Sequence, residues 1–275
     1  MEGAGEGSRF KAFEVEGWNR RAETYGEMLG GMTARVAEPL LDAAGVRHDM
    51  RVLDLATGPG YVAERAAARG ALPIGVDIAE RMLALARTRQ PTLEFRRADA
   101  ENLPFEDGSF DAVVGGFVLN HLPAPELALA EAIRVLSRGG SAAYSVWDRP
   151  ERNRFMGVVS DAVGDVAVEP VREVAEGPDP YRFSDDAEFE TLLRGAGVDE
   201  VVVETLSMTL AVPDADALWE GFMGASVRVR ATVDAQSDDV RGTIREAFEH
   251  RVEAHRHPDG LELPAVVKLA SGRLA

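Results

Sequence analysis

Two periods of apolar residues run along this chain, and the switch between them marks its elements. Residues 9–45 carry apolar side chains at helical spacing, with Gly30-Gly31 as a break, while the first eight residues, rich in Gly and Glu, read as disordered. From residue 51 short apolar runs alternate with amphipathic stretches. "RVLDLA" predicts a strand, followed by a glycine turn and the alanine-rich helix "YVAERAAARG", stopped by Gly70. "LPIGVDI" predicts a second strand and "AERMLALARTRQ" a helix ended by Pro91. "LEFRRAD" and "FDAVVGGFV" follow as the third and fourth strands, "APELALAEAIRVLSRGG" as a helix closed by glycines, and "SAAYSVWD" as the fifth strand. Repeated strand–helix units predict an α/β fold: a Rossmann-like, mostly parallel, doubly wound sheet with helices on both faces and right-handed crossovers.

After Trp147 the pattern breaks. Residues 149–183 mix Pro, Gly and charge with short helical pieces. "SDDAEFETLLRGAGV" restores a helix that Ser184 or Asp185 can cap and Gly195 and Gly197 end. "DEVVVETLSMTLAV" predicts a strand, residues 214–256 one or two amphipathic helices, and "LPAVVKLASGRLA" the last strand. The expected division is an N-terminal helical lid over 1–45, a nucleotide-binding core over 46–148 and a cap segment over 149–183. The rest of the core then spans 184–275, with a helical cap insertion at about 214–256.

Composition narrows the chemistry. The chain holds no cysteine, which removes disulfides, thiolate nucleophiles and cysteine-bearing metal sites together. His250, His255 and His257 have a metal-like spacing, but no third ligand is evident beside His255-x-His257, and a polar loop is the expected reading, with no metal site. Thirty Lys plus Arg against 47 Asp plus Glu give a net charge of −17, which argues against a nucleic-acid partner. No run is long and apolar enough for a signal peptide or a membrane span, so a cytoplasmic location without membrane partners is expected; a homodimer is left open.

The candidate chemistry gathers at the first strand. Gly58-Pro59-Gly60 with Ala63 satisfies a G-x-G-x-x-G/A pattern, and Asp77 closes the next strand, where a carboxylate can accept from both ribose hydroxyls. That pattern fits NAD. Asp54, inside the first strand, favours instead a sulfonium nucleoside that carries an ammonium group, because a pyrophosphate is poorly served by a neighbouring carboxylate. Asp99, at the end of the third strand, is placed to accept from an adenine amino group, with the Ala100 N–H beside it; a turn cap is its structural alternative.

"VLDLATGPG", "GVDIAERML", "ADAENLPFEDGSFDAVV" and "RVLSRGG" resemble, in order and spacing, the class I S-adenosylmethionine-dependent methyltransferases, in their ubiquinone/menaquinone-biosynthesis-like branch. The resemblance covers residues 50–148 and implies S-adenosylmethionine as cofactor, S-adenosylhomocysteine as product and a seven-stranded sheet whose last strand is antiparallel. It implies that Asp54, Ala56, Gly58 and Gly60 line the methionine part. By the same resemblance Asp77, Ile78 and Met82 hold the ribose and one adenine face, Asp99 and Ala100 read the adenine edge, and Phe117 lies near the methyl. The family usually has Gly where Ala56 stands. In relatives the N-terminal segment folds over the cofactor, so Tyr25, which shares a helix face with Trp18, is a cofactor candidate against ordinary helix packing.

His121, in "FVLNHLPAP" past the fourth strand, is the candidate general base, with loop shaping or cofactor contact as the alternative. Trp147, Phe155, Tyr181, Trp219, Phe222 and Met223 are candidates for an apolar substrate pocket, and a plain cap core also explains each of them. Arg228 and Arg230 read as solvated or paired with carboxylates, with an acidic substrate group as the other option. The expected reaction is methyl transfer to an O, N or C atom of a small organic molecule. Three readings stand beside it: a non-methylating step such as cyclisation on the same fold, an NAD-dependent oxidoreductase and a non-catalytic cofactor-binding regulator.

Overall fold

The computed structural model describes residues 2–26, 28–166, 168, 171 and 174–275; the cap segment expected over 149–183 therefore falls partly outside the described residues. The chain opens with two helices, α1 (Glu2–Tyr25) and α2 (Leu29–Ala43). Strands and helices then alternate: β1 (Arg51–Leu55), α3 (Tyr61–Ala68), β2 (Leu72–Asp77), α4 (Glu80–Arg89), β3 (Glu94–Arg97), β4 (Phe110–Gly116), α5 (Pro125–Val135) and β5 (Leu136–Trp147). The second half adds α6 (Arg154–Gly164), α7 (Asp186–Gly195), β6 (Val198–Val212), α8 (Ala215–Ala225), α9 (Arg228–Asp234), α10 (Asp238–Val252), β7 (Arg256–His257) and β8 (Gly260–Leu274).

Seven strands form one continuous path in the order β3-β2-β1-β4-β5-β8-β6, and the two-residue β7 pairs with β8. The first five of that path are parallel, and β8 runs antiparallel to both of its neighbours. Strand order reverses direction between β1 and β4, which leaves a crevice at their carboxyl ends because the flanking helices depart to opposite faces.

The near-continuous apolar runs follow from burial on both faces. In β1, Val52 joins one core with Leu40 and Leu41 of α2, whereas Leu53 and Leu55 join the other with Leu129 of α5 and Leu193 of α7. Each such fully buried leucine contributes about 1.5–3 kcal/mol. Asp185 caps α7, its carboxylate accepting from the N–H groups of Ala187 and Glu188, so the cap falls on the second of the two candidates.

Four elements differ from the sequence expectation. The helix α1 begins at Glu2, where disorder was expected over the first eight residues; Phe10, 2% exposed, anchors this helix, and a seeded helix extends at little cost. Gly30 and Gly31 lie inside α2 and do not break it. A side chain at Gly30 would meet the Tyr61 hydroxyl at 2.7 Å, so that glycine serves a close approach, and the chain turns between Tyr25 and Leu29. The stretch "LSRGG", expected to end a helix, opens β5, because Leu136 pairs with Phe110 ahead of a register shift. Residues 214–256 form three helices in place of one or two, the last capped by Ser237 through the Val240 N–H.

Candidate active site

The loop after β1 turns through left-handed backbone. Ala56, Gly58 and Gly60 have φ of 52°, 51° and 84°. Two carboxylates hold it. Asp54, 1% exposed, accepts from the Thr57 hydroxyl at 2.6 Å and the Ala63 N–H at 3.0 Å, fastening the loop to the first turn of α3. Asp77 accepts from the Gly58 N–H at 2.9 Å and the Ala79 N–H at 2.8 Å, joining the same loop to the end of β2 and the start of α4. Burial pushes the Asp54 carboxyl up to about 7, against the donors that favour its charged form. Burial likewise raises Asp77, opposed by the N–H groups of Ala79, Gly58 and Ile78.

A cavity of about 1160 Å³ opens over these strand ends. Ala56, Gly58, Asp77, Ile78, Met82, Asp99, Ala100, Phe117 and Tyr25 all line it, so nine of the eleven expected cofactor residues share one wall system. The other two do not reach it. Asp54 faces a separate cavity of about 50 Å³ beneath the loop, together with Tyr25, Ala56 and Phe117. Gly60 starts α3, where a Cβ would lie 3.0 Å from the Phe95 ring; its role is to let the loop pack on β3.

Asp99 is tied at both oxygens, to Lys11 Nζ of α1 at 2.7 Å and to the Glu101 N–H at 3.0 Å. Phe117, with φ of 58°, stacks on Trp147 at 4.0 Å between ring centroids and forms a flat apolar wall. Burial pushes the Tyr25 phenol up to about 12, and its hydroxyl lies 3.4 Å from that of Thr33.

His121 ends a 3-10 turn over Leu119–His121, just beyond β4, and lines the cavity. Its Nδ1 lies 3.0 Å from Glu14 Oε2 of α1, and Trp18 meets its ring edge-on at 5.2 Å. Arg182 donates to the carbonyls of Leu119 and Leu122, pinning this turn from the far side. The helix α1 thus crosses the cavity with Lys11, Glu14 and Trp18. It is itself docked on two sides, as the Asn19 amide oxygen accepts from the Arg81 N–H of α4 and Thr24 donates to Gly224 of α8.

Of the expected substrate residues, Trp147, Tyr181 and Phe222 line the cavity. Phe155, Trp219 and Met223 do not line it: Phe155 is 1% exposed and Met223 3%, both in the core, whereas Trp219 is partly buried against that core and packs on Phe248 at 5.1 Å under Arg245. An aromatic position on an amphipathic helix tells the depth of burial, but not which neighbour covers it. Arg230 pairs with Asp234 at 2.6 Å, whereas Arg228 lines the cavity. Sequence reasoning missed Lys11, Glu14 and Asn120 as cavity residues; the adjacency of Asn120 to His121 was the one available signal.

A parallel sheet that reverses order between β1 and β4, a left-handed loop at that point and an acid closing β2 define a nucleoside-binding domain of the Rossmann type. Residues 53–144 match the family model of a methyltransferase domain. The demethylmenaquinone methyltransferase of Renibacterium salmoninarum is 36% identical over 131 residues, 48% of this chain and 55% of the relative. That of Beutenbergia cavernae is 31% identical over 169 residues, 61% of this chain and 70% of the relative. In fold, a candidate methyltransferase from an antibiotic biosynthesis pathway of Anabaena variabilis superposes with a TM-score of 0.60 at 19% identity, over 87% of this chain and 97% of that one. The chain belongs to the class I S-adenosylmethionine-dependent methyltransferases, in the family of the demethylmenaquinone methyltransferases. It spans 55% of the length of the Renibacterium relative and 60% of that from Paenarthrobacter aurescens.

Two outcomes follow from the loop. A left-handed alanine costs about 1–2 kcal/mol, and glycine loses about 0.5–1 kcal/mol more backbone entropy on folding, so Ala56→Gly is expected to stabilise by about 0–1.5 kcal/mol. A fall in melting temperature would contradict the strained position. Asp54 holds its proton more tightly folded than unfolded, so the stability it contributes is full below about pH 4 and is lost as pH rises through about 7. Wild type minus Asp54→Asn should show that loss in melting temperature across the same window, and parallel pH curves would refute it.

Proposed function

We propose that this protein transfers the methyl group of S-adenosylmethionine to an O, N or C atom of a small organic molecule. The observation that carries the reading is the shared carboxylate: Asp77 ties Gly58 of the β1 loop at 2.9 Å while facing the cavity. Its two oxygens accept the Gly58 and Ala79 N–H groups, one on each, and the carboxylate keeps acceptor capacity for a ribose hydroxyl. The cavity, about 1160 Å³, exceeds the roughly 300–1000 Å³ usual for one small ligand and leaves room for an acceptor beside the cofactor. The donor set fits the cofactor: Asp77 and Asp99 would accept from its ribose and base, Ile78 and Met82 would supply apolar walls, and Asp54 holds the loop from beneath without reaching the cavity.

When bound, the cofactor supplies a methyl group already activated on sulfonium sulfur. The chain has to align an acceptor and keep water away, and alignment alone is worth about 7–11 kcal/mol. Phe117 stacked on Trp147 forms the dry wall, and α1 covers the opening. Glu14 orients His121: a carboxylate on Nδ1 fixes that nitrogen as the donor and leaves Nε2 to take the proton of an O–H or N–H acceptor. The charge of −17 supports a small molecule over a nucleic acid as acceptor, and no helix among the described residues is long and apolar enough to cross a membrane. Our reading of the setting remains the cytoplasm.

Titration calorimetry with S-adenosylhomocysteine tests the site. Wild type should bind, Asp77→Ala and Gly58→Val should lose binding with the circular dichroism spectrum retained, and wild-type-like isotherms in both would overturn the assignment. His121→Ala should keep cofactor affinity and lose about 10²–10⁴-fold in turnover, measured as S-adenosylhomocysteine release; a loss below about tenfold removes the base.

A further inference from the structure

Two side chains in the cavity have polar capacity left over, one without a hydrogen-bond partner and one without a counter-ion. Asn120 is 1% exposed and lines the cavity, and neither its amide oxygen nor its amide nitrogen has a hydrogen-bond partner. A buried polar atom left unpaired costs about 1–3 kcal/mol, so such a group is kept where a ligand completes it. Asn153 is the other described asparagine with both atoms unpaired, and it lies outside the cavity lining. The turn that carries Asn120 is held by Arg182 through the Leu119 and Leu122 carbonyls, so the amide is presented on a fixed backbone.

The second is Arg228, at the start of α9. It is half-buried, lines the same cavity, and donates to the Pro178 carbonyl at 2.7 Å. Among the described residues no carboxylate lies within ion-pair distance of it, although Arg230, two residues on, has Asp234. Glu14 and Asp179 act on its charge only at longer range, and Glu14 is already engaged by Trp18 and His121. Burial lowers the pKa of Arg228, the cost of holding a guanidinium away from water. The same cavity is lined by apolar side chains as well, Phe117, Trp147, Met156, Phe222 and Val229 among them.

We infer that the methyl acceptor is an organic acid with an apolar body, its carboxylate received by Arg228, while the amide of Asn120 offers a polar partner elsewhere in the same cavity. This rests on the methyl-transfer reading above and adds the substrate class. A planar guanidinium matches the two oxygens of a carboxylate, and an anion is the partner that relieves a desolvated cation. A neutral acceptor would leave the Arg228 guanidinium with only the Pro178 carbonyl and the Phe10 ring against it and no counter-ion in contact. In a chain of charge −17 an anion also needs a local cation to enter at all.

The test compares matched acids and alcohols by calorimetry on the full chain: 2-naphthoate with 2-naphthylmethanol, cinnamate with cinnamyl alcohol, and salicylate with salicyl alcohol. Each pair is measured with and without saturating S-adenosylhomocysteine. At least one acid should bind about tenfold or more tightly than its alcohol. Arg228→Gln should remove that preference, Arg228→Lys should keep part of it, and Arg230→Gln should leave it unchanged. S-adenosylhomocysteine affinity should not move in any of the three. Failure of every acid to bind more tightly than its alcohol, or survival of the preference in Arg228→Gln of unchanged melting temperature, overturns the inference. Loss of S-adenosylhomocysteine binding in wild type overturns the methyl-transfer reading instead, and the comparison without that ligand still judges the acid.

Discussion

One hydrogen bond organises the site: the Gly58 N–H on the Asp77 carboxylate. It joins two loops that no strand ladder connects, one after β1 and one after β2, and so fixes the mouth of the crevice. The Thr57 N–H, on the Val76 carbonyl at 2.9 Å, supports the same junction. From below, Asp54 holds the loop to α3 through Thr57 and Ala63. Two carboxylates therefore shape a backbone that would otherwise relax, since three of its residues sit at positive φ. Both are buried enough to be raised above the ordinary carboxylate range. The loop is thus fastened by groups that gain when a cation or hydroxyl donors arrive, and its shape and its ligand preference have a common origin.

The parallel half of the fold was legible because its signals are local. Apolar runs of strand length, an acid ending one strand and glycines opening a helix each declare themselves within ten residues, and the structure places Asp77, Asp99 and Phe117 at strand ends around one cavity. What stayed hidden depends on partners distant in sequence. Glu14 reads as one more exposed acid on an amphipathic helix, until His121, 107 residues away, is found on its carboxylate. Gly30 reads as a break because the Tyr61 ring that requires it belongs to another helix. Trp219 and Phe155 carry the composition of a pocket, yet composition does not distinguish a cavity wall from the core behind it.

Backbone strain gathers where ligands approach. Five described residues other than glycine have positive φ, and two of them, Ala56 and Phe117, line the cavity on the two strands between which the sheet reverses order. Such conformations persist only where the surroundings over-determine them. For Phe117 that constraint is visible: its N–H is held by Ser145 of β5 at 2.9 Å, and its ring is clamped on Trp147. A rigid aromatic wall at the end of β4 follows, and it turns the sheet's topology into a fixed boundary for whatever lies against it.

The charged groups lining the cavity include Asp77 and Asp99, the Glu14–His121 pair and Arg228, and α1 contacts both Asp99 and His121. Lys11 pairs with Asp99, and the same helix holds the imidazole through Glu14. A ligand that reaches Asp99 has to share it with Lys11, so its arrival bears directly on the seating of α1. Lys11, Glu14 and Trp18 lie on one helix, so the contacts made to Asp99 and to His121 both depend on where α1 sits.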